Sequence, residues 1–355
     1  MNSPKKDMET LIDAGSPPSL HASKAFLSES NASACRFSHE SMESLSKIQG
    51  AAPALRWTSP FVFPFWMRLL PDVLKKKDLL LLSGHDSEKW IGIAPLMRVE
   101  NTAHLFGNPD LCDYLDIITA PGYTRVFFDS LLEFLSNEGI RELNLSPVHP
   151  DSISYREILP AARILNVPLE IETVSETYEL PLPGTWSGYL EILNGHQRHE
   201  VRRKLRRIAG FLSNRFNEIH GFSQIEKTME LFIEWFRRYH SGKRAFMDPL
   251  RESFFKNLSR ELEERSMLRL FLFEIDQKPA AITFCMEYEG MLYLYNNAYS
   301  PEFESYSAGT LSKIFSIREG IIRGLKGFSF LKGDEAYKKR LGGEQVPLYR
   351  IAIKI

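Results

Sequence analysis

Apolar and polar positions alternate along this chain in a way that predicts a mixed α/β protein. In the first half, the apolar runs LLLLS (79–83) and WIGIAPLMRV (90–99) predict strands, and so does DYLDIIT (113–119). Between Tyr123 and Asn137 the apolar residues recur at helical spacing, and an extended segment follows at 169–182. Strands interleaved with helices are the order expected of an α/β sheet.

The second half has a related order. A long helix is predicted over 188–215, another over 224–240, and a third after Asp248, a capping residue that precedes a proline. A further helix is predicted from Ser307 to Arg323. Predicted strands lie at 267–275, 280–289, 291–300, 327–331 and 346–355. The similar order of the two halves indicates a duplicated fold.

Residues 1–52 stand apart in composition. Serine fills 11 of the first 50 positions, and no helical or strand period persists. Such a segment cannot bury enough apolar area to offset its ordering entropy. We therefore expect a disordered tail over 1–52, followed by two α/β domains at 53–185 and 186–355, which a length of 355 residues allows.

Charge also divides the chain. Residues 1–190 carry 16 Lys and Arg against 24 Asp and Glu, whereas residues 191–355 carry 28 against 21, so the balances are −8 and +7. An anionic ligand is therefore expected to bind mainly to the second half. No run of about 20 apolar residues is present, and the first residues lack the apolar core of a secretory signal, which predicts a cytoplasmic protein.

The sequence argues against several kinds of catalytic site. Cys35, Cys112 and Cys285 are few and far apart, so they predict neither a disulfide framework nor a zinc site, and no metal is expected. No Gly-x-Ser-x-Gly or Cys/His signature is present, which argues against a covalent acyl-enzyme.

A strongly basic helix is predicted early in the second half. Six of the ten residues from Arg198 to Arg207 are Lys or Arg, and an apolar stripe runs along the other side of the helix. This pattern is typical of a solvated surface helix. It also suits binding of an anion such as a CoA phosphate, a lipid-linked sugar or tRNA. Arg202 and Arg203 are the candidate substrate-binding residues.

The predicted helix at Ser307 opens with small residues, at Ser307, Ala308, Gly309 and Thr310. Unpaired amide groups and the helix dipole favour a phosphate at such an end, and small residues let it approach the backbone. These four are the candidate cofactor-binding residues. The alternative is structural, with Ser307 capping the helix and Gly309 relieving crowding.

The segment FSFLKGDEAYKKRLGG (328–343) supplies the candidate catalytic residues. Lys338 follows a strand end, where a lysine can neutralise a phosphate or a developing oxyanion. Asp334 is a candidate base, or alternatively the N-cap of a short helix, and Tyr337 is expected to position Lys338. Tyr293, Tyr295 and Tyr299 are expected on one face of a predicted strand. Tyr295 is the candidate proton donor to a leaving thiolate, or else a residue that lines the core or cleft.

Together these stretches resemble the FemAB-like branch of the GNAT superfamily, and most closely the CelD/BcsL-type acetyltransferases. The resemblance covers about 55–350. It includes FGNPDLCDYLDI (106–117), which resembles a family segment and suggests that Asp113 and Tyr114 bind substrate. Ser329 departs from the family pattern, which usually has Asp between two aromatic residues at that place. If that Asp has a role, Asp334 is the expected substitute.

The resemblance implies two tandem GNAT-like domains, each a mixed sheet flanked by helices, with the second one catalytic. It implies transfer of an acetyl or acyl group from acyl-CoA to an amine or hydroxyl of a sugar-containing, cell-envelope or exopolysaccharide precursor. Two alternatives stay open. One is a Fem-type transferase that takes an amino acid from aminoacyl-tRNA, and the other is a scaffold that binds a glycan precursor without turnover. Peripheral contact with a membrane is also compatible with the sequence.

Overall fold

The computed structural model of this protein describes residues 35–70, 78–239 and 247–355. Its strands are β1 (Arg36–His39), β2 (Asp78–Asp86), β3 (Lys89–Val99), β4 (Thr102–Leu105), β5 (Ile118–Thr119), β6 (Glu142–Val148), β7 (Leu169–Pro181), β8 (Asn214–Glu218), β9 (Leu268–Ile275), β10 (Lys278–Tyr288), β11 (Met291–Tyr299), β12 (Gly327–Lys332) and β13 (Glu344–Lys354). Its α-helices are α1 (Met42–Ala51), α2 (Pro64–Leu69), α3 (Thr124–Asn137), α4 (Leu159–Ile164), α5 (Trp186–Ile192), α6 (Gly195–Ile208), α7 (Phe222–Tyr239), α8 (Pro249–Glu264), α9 (Ala308–Ile322) and α10 (Ala336–Arg340).

One mixed sheet connects all of these strands. Its order is β1-β2-β3-β4-β6-β13-β7-β12-β11-β10-β9-β8, with β5 paired to β3. The last strand, β13, pairs with both β6 and β7, so the C-terminal strand lies between two strands of the first half, in the middle of the sheet. The predicted α/β class is confirmed. The boundary between residues 185 and 186 stays a prediction, because the sheet is continuous across both halves.

The predicted disordered tail is wrong from Cys35 onward; residues 1–34 lie outside the described part. Strand β1 pairs antiparallel with β2. Helix α1 begins with a capping box between Ser41 and Ser44 and buries Leu45 and Ile48. Serine was read as a sign of disorder, but here it caps a helix that packs on the core.

The long helix predicted over 188–215 is also wrong. Asn194 accepts a hydrogen bond from the backbone N–H of Gln197, and the Gln197 side chain accepts one in return from the N–H of Asn194. This capping box ends α5 and starts α6 as a separate helix. Residues 214–218 then form β8, which pairs antiparallel with β9.

The strand predicted over 113–119 is reduced to Ile118–Thr119. The buried carboxylate of Asp116 accepts hydrogen bonds from the backbone N–H groups of Ile117, Ile153 and Ser154 at 2.7–2.9 Å. A side chain that binds backbone amides in this way competes with strand pairing. The segment before β5 is therefore a loop, and it carries Asp113 and Tyr114.

Two buried layers lie on opposite faces of the sheet around β11 and β12. One contains Tyr293 and Tyr295 with aromatic residues of α2, α7 and α8. The other contains Phe328 and Phe330 with Ile314 and Ile317 of α9. We call these the α8 face and the α9 face. The candidate site lies where β11 and β12 separate, and it has groups on both faces.

Candidate functional site

The sheet opens between β11 and β12. The two strands pair in parallel only from Met291 with Gly327 to Tyr293 with Ser329. Beyond this point no further pairing joins them within the described residues. The chain leaves β11 through a short 3-10 helix and enters α9. A gap between strands, next to the start of a helix, can admit a linear ligand whose polar groups bind freed backbone groups.

The first turn of α9 is not capped by its own serine. Ser307 has left-handed backbone angles (φ 60°, ψ 38°), and its side chain makes no capping hydrogen bond. Its hydroxyl accepts a hydrogen bond from Lys204 Nζ at 3.0 Å instead. Ser307 therefore occupies the N-cap position of α9 but does not cap the helix through its side chain. A lysine ammonium beside a helix N-terminus increases the positive potential there.

Gly309 is explained by packing. A Cβ atom at this position would lie 2.7 Å from Cδ1 of Tyr299. Ala308 is fully buried, and Thr310 is half-buried. Crowding therefore accounts for the glycine, and the assignment of these residues to cofactor binding stays a prediction.

Helix α6 supplies cations beside this turn. Arg203 forms two hydrogen bonds of 2.9 Å to Glu200, and Arg202 is exposed. Lys204, which the sequence analysis missed, is the cation of α6 that donates a hydrogen bond to Ser307 at the start of α9. Burial and then the neighbouring charge of Arg203 lower the pKa of Lys204. The signal for Lys204 in the sequence is its position next to the apolar stripe of Val201, Leu205 and Ile208 on α6.

A second buried lysine, also missed from sequence, lies on the α9 face. Lys313 Nζ is 2.6 Å from Oδ1 of Asn297 on β11 and 2.8 Å from the carbonyl oxygen of Gly309. The ring of Tyr337 lies 4.7 Å from the same nitrogen. This cation therefore connects β11, α9 and α10 where the strands separate.

Lys338, the predicted catalytic cation, is almost fully buried. Its ammonium lies 2.8 Å from the carbonyl oxygen of Leu331, 2.7 Å from that of Lys332 and 3.0 Å from that of Gly333. Glu335 Oε2 is 3.0 Å away. An ammonium has three protons, so these carbonyls can occupy all of them. The geometry favours a role in holding the bend after β12, and a catalytic role stays a prediction.

Asp334 and Tyr337, the two residues predicted to act with Lys338, differ in their surroundings. Asp334 is exposed, and α10 begins after Glu335 without a side-chain cap, so the alternative reading of Asp334 as N-cap is wrong. Tyr337 contacts Lys313. The centre of the Tyr178 ring lies 5.9 Å from Lys338 Nζ.

Tyr295 is part of the aromatic core. Its ring packs on Phe255 and Phe284, and its hydroxyl donates to the carbonyl oxygen of Leu111 at 3.1 Å. Burial raises its pKa. The register between β10 and β11 shifts at Phe284, so Tyr299 lies on the α9 face against Gly309. The expectation that the three tyrosines share one face is therefore wrong, because the bulge reverses the alternation.

Polar side chains gather on the α8 face where β11 and β12 begin to separate. Tyr114 Oη lies 2.9 Å from Ser329 Oγ, 2.7 Å from Thr177 Oγ1 and 3.5 Å from Glu179 Oε1. Ser329 and Glu179 are directly opposite in the antiparallel pairing of β12 with β7. The Tyr293 ring centre is 6.3 Å from that of Tyr114. The predicted substrate residue Tyr114 is thus next to Ser329, although the two are 215 positions apart.

His149 completes this cluster from the end of β6. Its Nε2 is 3.3 Å from Glu179 Oε1, and its ring centre is 5.1 Å from that of Tyr114. The Nε2 atom is buried and makes no hydrogen bond of good geometry within the described part of the chain. The side chains of His149 and Glu179 are 13% and 23% exposed. The sequence analysis did not single out His149.

Asp113 is next to the same cluster. Burial raises its pKa, and the ammonium of Lys332, 3.8 Å away, opposes that rise. Its carboxylate is thus already partnered by a cation.

In residues 35–70, 78–239 and 247–355, no group of three or more His, Cys, Asp or Glu side chains could hold a metal ion. No helix in those ranges is long and apolar enough to cross a membrane.

Comparison with solved structures identifies the fold. FemX matches with a TM-score of 0.60 at 12% identity, over 89% of this chain and 96% of its own. A conserved protein of unknown function from Bacteroides thetaiotaomicron matches with a TM-score of 0.55 at 12% identity, over 90% and 99%. L-PGS from Bacillus licheniformis matches with a TM-score of 0.52 at 11% identity, over 80% and 90%. At such low identity these matches establish the fold alone.

The sequence comparison finds a known domain family in part of the chain. No curated protein matches the chain. Residues 195–339, from the start of α6 into α10, match the model of a family described as "Acetyltransferase (GNAT) domain". This segment contains the basic helix, the small-residue start of α9 and Lys338. Over residues 195–339 the chain is thus similar to acetyltransferase (GNAT) domains, within a fold similar to that of FemX.

Proposed function

We propose that this protein transfers an acyl group from acyl-CoA to an amine or hydroxyl of a sugar-containing or cell-envelope precursor, such as an exopolysaccharide precursor. One observation carries the proposal. The strands β11 and β12 separate next to the uncapped first turn of α9, and Lys204 lies beside that turn. A helix N-terminus with an adjacent ammonium suits the pyrophosphate of CoA. The gap between the strands suits its linear pantetheine arm.

Acyl transfer needs a held donor, a polarised thioester carbonyl and a group that takes the proton of the nucleophile. Backbone N–H groups of β11 beyond Tyr293 are candidates for polarising the carbonyl, because β12 no longer pairs with them. Two buried lysines, Lys313 and Lys338, stabilise the strand ends on either side of the gap. The α8 face then offers polar groups to the acceptor.

The donor is tested by isothermal titration with acetyl-CoA and with acetyl-pantetheine, which lacks the pyrophosphate and adenosine. The Lys204→Met variant is expected to bind acetyl-CoA about 10–100-fold more weakly, because it loses a charge-assisted contact to phosphate. It is expected to bind acetyl-pantetheine as the wild type does. Lys227→Met, at an exposed lysine of α7, is the matched control, and it should change neither affinity by more than about threefold. Absence of binding to any acyl-CoA at millimolar concentration rejects the CoA donor.

A Fem-type aminoacyl transfer is the second candidate. The exposed basic residues of α6, among them Arg202, Arg206 and Arg207, and the fold match to FemX favour it. Against it, α7 and α8 bury Phe232 and Phe255 against the sheet and do not project as a coiled-coil arm. Retention on charged tRNA that weakens steeply with salt would support this candidate. A salt-insensitive CoA affinity would reject it.

A scaffold without turnover is the remaining alternative. A thiol-release assay with acetyl-CoA and amino-sugar acceptors separates it from an enzyme. Steady release of thiol supports the acyltransferase, and donor binding without release supports the scaffold.

A further inference from the structure

A carboxylate, an imidazole and a phenol meet on the α8 face where β11 and β12 separate. Glu179, His149 and Tyr114 come from β7, the end of β6 and the loop before β5. Glu179 lies opposite Ser329, the residue at which the pairing of β12 with β11 ends. A carboxylate at this place is therefore one strand away from the gap proposed for the thioester.

Hydrogen bonding assigns the protons in this cluster. The backbone N–H of Asp151 donates to Nδ1 of His149 at 3.1 Å, so a neutral imidazole carries its proton on Nε2. That proton is on the side of Glu179, 3.3 Å away. The backbone N–H of Leu331 donates to Ser329 Oγ, so the Ser329 hydroxyl is free to donate to Tyr114. The Tyr114 hydroxyl can therefore donate to Glu179, and the Nε2 proton of His149 faces Glu179 without a hydrogen bond of good geometry, so Glu179 is the acceptor of the cluster.

Other groups near the gap are less suited to accept a proton. Asp113 faces Lys332, and Tyr114 is buried, with its hydroxyl surrounded by Thr177 and Ser329. Glu344 lies in register with Glu179 on β13 but is exposed. Glu179 alone among these combines a carboxylate, partial exposure and a direct imidazole neighbour.

We propose that Glu179 is the catalytic base that accepts the proton of the acceptor nucleophile, and that His149 is a positioning residue that orients it. This inference rests on the proposed acyl transfer. The lone pair of a neutral amine or hydroxyl forms the new bond to the acyl carbon, and Glu179 takes the proton of that nucleophile. The bond between the acyl carbon and sulfur breaks with its electron pair on sulfur. The proton then passes to the thiolate, which leaves acylated acceptor, free CoA thiol and an ionised Glu179.

The test uses the full chain with acetyl-CoA as donor and with water and glucosamine as acceptor probes. Calorimetry measures the affinity for acetyl-CoA, and a colorimetric thiol assay measures turnover. Glu179→Gln is expected to lower turnover by about 10²-fold or more, the usual effect of losing a general base. Its affinity for acetyl-CoA is expected to stay within about twofold of wild type, because the donor site is on the α9 face.

Glu176→Gln is the matched control, because Glu176 is on the same strand but contacts Tyr178, a residue of the α9 face. It is expected to keep wild-type turnover. Near-wild-type turnover in Glu179→Gln would overturn the assignment alone. A wild-type protein that binds acetyl-CoA but releases no thiol with either probe would overturn both the assignment and the proposed transfer, as expected of a scaffold. Failure of the wild type to bind any acyl-CoA would instead reject the proposed function.

Two His149 variants separate positioning from folding. A glutamine can place its amide near the Nε2 position, whereas an asparagine can accept only the bond from Asp151. His149→Gln is therefore expected to retain most turnover, and His149→Asn to lose about tenfold or more with an unchanged acetyl-CoA affinity. Equal turnover in the two variants would overturn the positioning role. Should Glu179→Gln not fold, this pair of variants tests the cluster independently.

Discussion

Replacing Lys338 with Met tests whether this lysine acts in chemistry or in structure. The side chains have similar length, but the variant loses the ammonium that binds three backbone carbonyl oxygens at 2.7–3.0 Å. Those carbonyls belong to Leu331, Lys332 and Gly333, and two of these residues have positive φ, 60° and 118°. A bend of this kind needs support from its surroundings, because left-handed backbone is unfavourable for a leucine.

The expected cost follows from the three contacts. A buried carbonyl that loses its partner costs about 1 kcal/mol or more. We therefore expect Lys338→Met to lower the free energy of unfolding by about 3 kcal/mol. For a domain of this size, about 2 °C of melting temperature corresponds to each kcal/mol, which predicts a fall of about 6 °C. Thermal melting followed by circular dichroism measures it.

Lys339→Met is the control for this experiment, since Lys339 is the exposed neighbour on the same short helix. Its melting temperature is expected to equal that of the wild type. If Lys338→Met melts with the wild type but has lost turnover by about 10²-fold, the structural reasoning is refuted and Lys338 belongs to the catalytic machinery.

Two further predictions concern packing and thiol chemistry. Gly309→Ala places a Cβ 2.7 Å from the Tyr299 ring, so it is expected to lower the free energy of unfolding, measured in urea, by about 1–3 kcal/mol. Gly195→Ala is the control, because Gly195 has open space around it, and it should leave the free energy of unfolding unchanged. Equal effects of the two substitutions would contradict the crowding argument. Burial raises the pKa of Cys112 to about 12 and that of Cys35 to about 11, so at pH 8 the thiolate fraction of Cys112 is about 10⁻⁴. All three buried cysteines should react with iodoacetamide only after denaturation, and rapid labelling of the native protein at pH 8 would show that a thiol is accessible.

Local sequence predicted most elements of the second half correctly. The Asp248-Pro249 start of α8, the meander of β9, β10 and β11, and the helix after Ser307 were all found, because caps, turns and periodicity act within a few residues. The errors occurred where a single side chain changed the local outcome. Asn194 divides one predicted helix into two, and Asp116 turns a predicted strand into a loop by binding amides 37 and 38 residues away.

The candidate site depends on tertiary structure far more than the helices and strands do. The sequence by itself determined the family motifs, the cationic α6 and the small-residue start of α9, since these are properties of composition and spacing. Only the folded chain decided that Lys204 is the cation that reaches α9, because the direction of a helical side chain depends on what the helix packs against. Strand register brought Glu179 opposite Ser329, and loop packing brought His149 beside it. Such pairings join residues 30 to 150 positions apart, and no local pattern encodes them.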